Sequence, residues 1–138
     1  MALSRTQLQA LSVARYDDAL LLLAHQRYSS AYYLAGYAVE FGLKACAARQ
    51  VSADTIPDRE FVSRVFTHNF DQLIGLAGLS HDLERQLGKQ TFKLNWTIVR
   101  EWRPDVRYDT VSQTAAQLLL NAVGDPADGV MQWIRQHW

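Results

Sequence analysis

Several features that would identify a class of protein are scarce in this sequence. Its 138 residues include one cysteine, Cys46, so no disulfide can form within a single chain. Cys46 lies in an apolar stretch, which is typical of a small buried hydrophobic residue. Fourteen basic side chains balance fourteen acidic ones, so the molecule has no net charge to attract nucleic acid or an anionic membrane. Binding of either would require a local patch of charge.

Long apolar runs are also missing. The longest, ALLLLA at residues 19–24, is far shorter than the roughly 20 residues that cross a bilayer. The N-terminal sequence MALSRTQLQALSV has no continuous apolar stretch followed by a cleavage site. We therefore expect a cytoplasmic protein that does not contact a membrane.

Common motifs for phosphate, metal and nucleophilic chemistry are absent. No glycine-rich phosphate loop and no serine nucleophile motif occurs. The four histidines do not have the spacing of metal ligands; they are His25, His68, His81 and His137. We expect no metal and no cofactor, so a bound nucleotide would have to be held by side chains in a crevice between helices.

What the sequence does contain is helical periodicity. A composition of 49% hydrophobic and 20% charged residues is that of a folded protein, and the length suits one domain over residues 1–138. No segment alternates apolar and polar residues as a strand would. The expected fold is all-α, an up-and-down bundle of about five to six helices.

Caps and breakers suggest where these helices begin and end. Ser4, Ser30, Asn69 and Thr110 are candidate N-caps, and Gly78 is a candidate helix end. Residues 80–102 are interpreted as one helix, weakened by a glycine, with the leucines at 83, 87 and 94 facing inward. The predicted helices are 4–26, 30–50, 70–77, 80–102, 110–123 and 130–138, with a short helical turn at 61–66.

The predicted second helix carries an unusual stripe. On a helix that turns about 100° per residue, Tyr33, Tyr37, Glu40 and Lys44 fall within an arc of roughly 60°. Apolar and small residues occupy most of the remaining surface, so the helix should be enclosed by others. Glu40 and Lys44 then form either an internal ion pair or part of a surface that faces a ligand or a partner.

Three segments resemble the HEPN domain family, small helical proteins of bacteria and archaea. They are SSAYYLAGYAVEFGLKACAAR, THNFDQLIGLAGL and LNWTIVREWRPDVRYD, at residues 29–49, 67–79 and 94–109. The resemblance implies a bundle with a central second helix that forms a homodimer. It also implies nucleotide binding, RNA cleavage as a toxin, or pairing with a small nucleotidyltransferase in a toxin–antitoxin system.

The ribonuclease members of that family have an arginine followed, after four to six residues, by a histidine. If Arg107 corresponds to that arginine, the histidine positions are occupied by Ser112, Gln113 and Thr114. None of these side chains is a base near neutral pH. The sequence therefore favours a non-catalytic protein, with a ribonuclease that uses displaced residues as the alternative.

Positive charge is concentrated in residues 85–107, where six cationic and two acidic side chains give a local charge of +4. With the interleaved Trp96, Trp102 and Tyr108, this segment could stack a base and hold phosphate. The stronger interpretation is a buried tryptophan core, a solvated basic face, and Arg107 paired with an acid such as Glu40 or Asp71.

His68 is either a cap for the helix that follows it or a ligand-facing residue. A third hypothesis is a plain interaction module whose Tyr33, Tyr37 and Leu43 form a dimer interface. The candidate ligand-binding residues are Tyr37, Glu40, Lys44, His68, Arg103, Arg107 and Tyr108.

Overall fold

A computed structural model describes residues 3–138, apart from the side chains of Arg107 and Tyr108. This part of the chain contains eight α-helices, one 3₁₀ helix and no strand. The α-helices are α1 (Arg5–Ala24), α2 (Tyr28–Ala48), α3 (Arg59–Val65), α4 (Phe70–Leu76), α5 (Ser80–Gln86), α6 (Gln90–Arg100), α7 (Gln113–Gly124) and α8 (Val130–Arg135). The 3₁₀ helix spans Pro104–Tyr108. The expected all-α bundle is confirmed.

Several helix ends follow from the predicted caps. The Ser4 hydroxyl accepts a hydrogen bond from the backbone N–H of Gln7 at 3.1 Å, and the Gln7 side chain accepts one from the Ser4 N–H at 2.8 Å. These reciprocal bonds satisfy two donors that the first turn leaves free. The Asn69 side chain caps α4 with a single hydrogen bond, which it accepts from a backbone N–H of the first turn at 3.0 Å. Gly78 has φ +70°, and this left-handed conformation directly after the C-cap of α4 prevents the helix from continuing.

Two predicted caps are wrong. Helix α2 begins at Tyr28 without a side-chain cap, so Ser30 does not start it. The neighbouring Ser29 hydroxyl instead accepts a hydrogen bond from the distant Val111 N–H at 2.9 Å. Helix α7 is capped by Ser112, two residues after the predicted Thr110. In each region a neighbouring serine, Ser29 or Ser112, accepts the backbone hydrogen bond that the predicted residue does not.

The predicted helix over residues 80–102 is two helices. A turn at residues 87–89, closed by a bond from the Gly88 N–H to the Arg85 carbonyl at 3.2 Å, separates α5 from α6. The break changes which residues of α6 face inward, so Leu94 is 55% exposed although it was expected in the core. This split, together with a full helix α3 where the sequence suggests only a short helical turn, explains why the described residues hold eight α-helices instead of five or six.

Helix α2 lies at the centre of the bundle and contacts α1, α4, α7, α8 and the 3₁₀ helix. Its Val39 and Leu43 are fully buried, each contributing about 1.5–3 kcal/mol through removal of apolar surface from water. Gly42 allows close packing, since a β-carbon there would lie 3.0 Å from Ile134 of α8. The enclosed second helix predicted from the sequence is confirmed.

The last helix is held by Cys46 and Asp82. The buried Cys46 thiol donates to the Ile134 carbonyl at 3.6 Å, and burial raises the pKa of this thiol to about 12. Asp82 accepts hydrogen bonds from the Trp133 indole at 2.6 Å and from His137 Nε2 at 3.1 Å, and it also pairs with Arg85. The Trp133 hydrogen bond is the main reason why the pKa of Asp82 is lowered, and burial opposes it in part.

None of the helices in residues 3–138 combines the length and the apolar character needed to cross a bilayer.

Replacing Asp82 by Asn should give a pH-dependent loss of stability. The folded-state pKa of Asp82 lies below its unfolded value of about 3.9, so the ionised carboxylate stabilises the fold above that value. This stabilisation disappears as the pH falls through the folded-state pKa. Urea unfolding near neutral pH should show a loss of about 1–3 kcal/mol, and the difference from the parent protein should shrink below about pH 4. Asp54→Asn, in an exposed loop, is the control and should change little at any pH.

Candidate functional site

The central feature of the site is a buried carboxylate on α2. Glu40 is 1% exposed. One of its oxygens accepts a hydrogen bond from Lys44 Nζ at 3.2 Å, and the other lies 2.7 Å from His68 Nδ1. The predicted stripe is confirmed, since Glu40 and Lys44 share one flank of the helix. The third member, His68, comes from the segment between α3 and α4 and lies 28 residues away in the sequence.

Glu40 determines which nitrogen of His68 carries a proton. An ionised carboxylate only accepts hydrogen bonds, so Nδ1 must donate to it. The other ring nitrogen, Nε2, is left for another partner, and the side chain is 49% exposed. The ring also contacts Tyr37 edge to face, with centroids 6.0 Å apart. The alternative prediction that His68 caps α4 is wrong, because Asn69 provides that cap.

An aromatic cluster lies beside this group. Trp102 stacks on Phe70 with ring centroids 5.5 Å apart and meets Tyr37 edge to face at 5.1 Å. The indole lies directly against α2 at Gly36, where a β-carbon would be 1.9 Å from the ring. Gly36 is therefore the residue that lets Trp102 approach. Trp102 and Trp96 are both buried, which confirms the interpretation of these two tryptophans as core residues.

His68 and Trp102 also line an open cleft of about 620 Å³ between the start of α4 and the end of α6. Its walls are residues 67–71 and 100–105. Arg100 and Asp71 form an exposed ion pair at 3.0 Å across it. Arg103 lines the cleft, is exposed, and has no ion-pair partner among the described residues. The cleft is thus lined by Arg103 and by His68, whose ring is oriented by Glu40.

The structure brings together five of the seven candidate residues. Tyr37, Glu40, Lys44 and His68 form one contact cluster, and Arg103 lines the same cleft as His68. The remaining two, Arg107 and Tyr108, belong to the 3₁₀ helix that packs on α2, but their side chains lie outside the described residues. The suggested pairing of Arg107 with Glu40 or Asp71 falls outside them as well.

The hypothesis that Tyr33, Tyr37 and Leu43 form a dimer interface fails at one residue. Leu43 is fully buried inside the chain, so it cannot contact a second copy. Tyr33 packs edge to face on Tyr37 with centroids 5.0 Å apart, and both rings are half-buried.

Sequence reasoning missed Phe66. This side chain is 73% exposed at the end of α3, directly before the cleft residue Thr67. An exposed phenylalanine next to a polar cleft can stack on a planar ligand. The sequence could have indicated this residue, because it directly precedes the segment THN and lies at the end of a helix too short to bury every apolar side chain.

Replacing Glu40 by Gln should destabilise the fold strongly. The change leaves Lys44, whose side chain is 15% exposed, without its buried partner, and the loss should be about 3–5 kcal/mol. Glu60→Gln is the matched control, because Glu60 also pairs with a residue four positions ahead, Arg64, but at the surface. Its cost should stay below about 1 kcal/mol. Equal effects of the two changes in urea unfolding would mean that the Glu40 cluster contributes no more than a surface pair.

Replacing Gly36 by Ala should push Trp102 from its position and cost about 1–3 kcal/mol of unfolding free energy, because the new methyl group overlaps the indole. The control is Gly75→Ala on α4, where a β-carbon meets nothing within 4 Å. That change should stabilise the protein by about 0.5–1 kcal/mol through helix propensity. Thermal unfolding measures both, and two stabilised variants would contradict the close contact at Gly36.

Comparisons with models of known families, with curated proteins and with solved structures give no match. The fold and the cleft therefore rest on the geometry described above, and membership of the HEPN family stays a prediction.

Proposed function

We propose that the chain is a non-catalytic, HEPN-type helical module whose cleft binds the phosphate of a nucleotide or of RNA. The observation that carries this proposal is the buried Glu40 carboxylate, which fixes His68 so that Nε2 is available at the cleft. A fixed ring loses less conformational freedom on binding than a mobile one, so it contributes more to affinity.

Directional donors support phosphate as the ligand. The Arg103 guanidinium presents several N–H groups in a fork that matches phosphate oxygens, and Nε2 of His68 also donates when both ring nitrogens carry a proton. Arg100 can reach the same ligand by leaving Asp71, because an exposed ion pair contributes only about 0–1 kcal/mol. The acids Asp71, Glu101 and Asp105 also line the cleft, so the arrangement favours a ligand that meets particular donors over any anion in general.

A ribonuclease with displaced catalytic groups is the second candidate. One observation favours it: a histidine whose Nδ1 is held by a carboxylate is the arrangement that positions a general acid or base. Arg103 would then stabilise the charge that develops on the attacked phosphate. The missing arginine–histidine motif makes this the weaker candidate.

The resemblance also supports a homodimer in the cytoplasm and a nucleotidyltransferase partner within a toxin–antitoxin pair. Exposed leucines on α1 supply an apolar surface for a second copy, with Leu20 43% and Leu21 60% exposed.

Nucleotide binding should raise the melting temperature without turnover. A nucleotide at about 100 times its Kd stabilises the folded state by about 2.7 kcal/mol. Arg103→Ala should weaken binding at least about tenfold, because it removes a charge-assisted hydrogen bond. Arg27→Ala is the control: it removes an exposed arginine outside the cleft and should bind normally.

The two candidates separate in one further assay. Intact RNA after incubation, together with a nucleotide-dependent shift, supports the binding module. RNA degradation that His68→Ala abolishes would support the ribonuclease. The absence of both a thermal shift and degradation would overturn both.

A further inference from the structure

The basic side chains of α6 continue the cleft along the surface. Lys93 and Arg100 are seven residues apart, so they lie within about 20° of one another around the helix, and Lys89 is the residue directly before the helix. All three are exposed. At 1.5 Å per residue, the line from Lys89 to Arg100 is about 16 Å long. We call these three residues the α6 basic line.

The one ion pair that this line makes among the described residues is between Arg100 and Asp71, at the cleft. Helix α6 contains no acidic residue between Gln90 and Arg100, and neither lysine has an ion-pair partner among the described residues. Asn95 donates to the Asp125 carboxylate and to the backbone carbonyl of Asp128, and the Thr91 hydroxyl donates to the Asp128 carboxylate. Asn95 and Thr91 lie about 160° from Lys93 around the helix. Positive charge on α6 is therefore confined to one flank that ends at the cleft.

We propose that the cleft and the α6 basic line together bind a single-stranded nucleic acid over several phosphates, so that the ligand is a strand and not a free nucleotide. This inference rests on the proposed function, because it places one phosphate at Arg103 and His68. A line of about 16 Å can contact several phosphates, because phosphates along one strand of a duplex lie about 3.4 Å apart and those of an extended single strand lie farther apart.

Phe66 supports a strand over an acidic protein as the occupant. It precedes the cleft residues Thr67 and His68 and is 73% exposed, so it can stack on a base at the cleft. Base stacking on an aromatic side chain tolerates any sequence and adds to the electrostatic attraction. An acidic peptide would use the lysines but has no base to place on this ring.

The length of the ligand tests the inference. Fluorescence anisotropy would compare labelled oligouridylates of about two and about eight nucleotides, of which only the longer reaches the site sizes of about 4–16 nucleotides found for single-strand binders. The longer probe should bind at least about tenfold more tightly at low salt. Equal affinities, with uridine monophosphate still bound in an Arg103-dependent way, would overturn the strand while the proposed function stands. No binding of either probe or of the mononucleotide would overturn both.

Variants test the path of the strand. The double change Lys89→Ala and Lys93→Ala should weaken the long probe about tenfold and flatten the dependence of log K on log salt by about 1.4, because two phosphate contacts are lost. Binding of uridine monophosphate should not change. The control removes the same charge elsewhere, with Arg5→Ala and Arg27→Ala. Equal loss in both double variants would mean that net charge, not the α6 basic line, attracts the probe.

A competitor tests the class of ligand. Polyglutamate at equal charge concentration should displace little of the long probe, and Phe66→Ala should weaken that probe about fivefold or more through lost stacking. If polyglutamate displaces the long probe as efficiently as unlabelled oligouridylate does, and Phe66→Ala binds normally, the surface binds an acidic protein. That result would overturn the proposal that its ligand is a nucleic acid.

Discussion

The buried charge of Glu40 constrains the arrangement around it. Taking a carboxylate out of water costs several kcal/mol unless partners replace the solvent. Lys44 comes from the same helix and supplies one partner, but the second, His68, must come from elsewhere. The segment between α3 and α4 can therefore lie only where His68 reaches Glu40. One wall of the cleft consists of that segment and the start of α4, so the position of the cleft follows from the need to satisfy a buried ionic group.

Gly36 determines the position of the other wall of the cleft. Because it has no side chain, the Trp102 indole can lie directly on α2, and the same ring stacks on Phe70 at the start of α4. Trp102 comes just after α6, so this contact fixes the end of α6 relative to α4. The ionic contact and the aromatic contact both originate on α2, four residues apart. Residues four apart lie about 40° from one another around a helix, so one face of α2 positions two distant segments on either side of one opening.

Local features of this fold could be predicted from the sequence, and features that depend on distant residues could not. The Glu40–Lys44 pair and the Asn69 cap follow from spacing alone, because both partners lie within one turn. The contact from His68 to Glu40 spans 28 residues and leaves no periodic signal. The break near Gly88 was missed because one glycine costs a helix only about 1 kcal/mol, so packing decides whether the helix continues. The exposure of Leu94 follows from the same error.

The division of charges explains how a chain without net charge could bind a polyanion. The inner groups, Lys44 and His68, are both bonded to Glu40, so they mainly set geometry. The outer cations are held weakly or not at all: Arg100 is 60% exposed in its pair with Asp71. Exposed pairs exchange partners at little cost, whereas breaking a buried pair costs several kcal/mol. A phosphate that recruits Arg100 therefore leaves the fold intact. Affinity would then depend on how many outer cations a ligand reaches at once, which favours a long ligand over a short one of equal charge density.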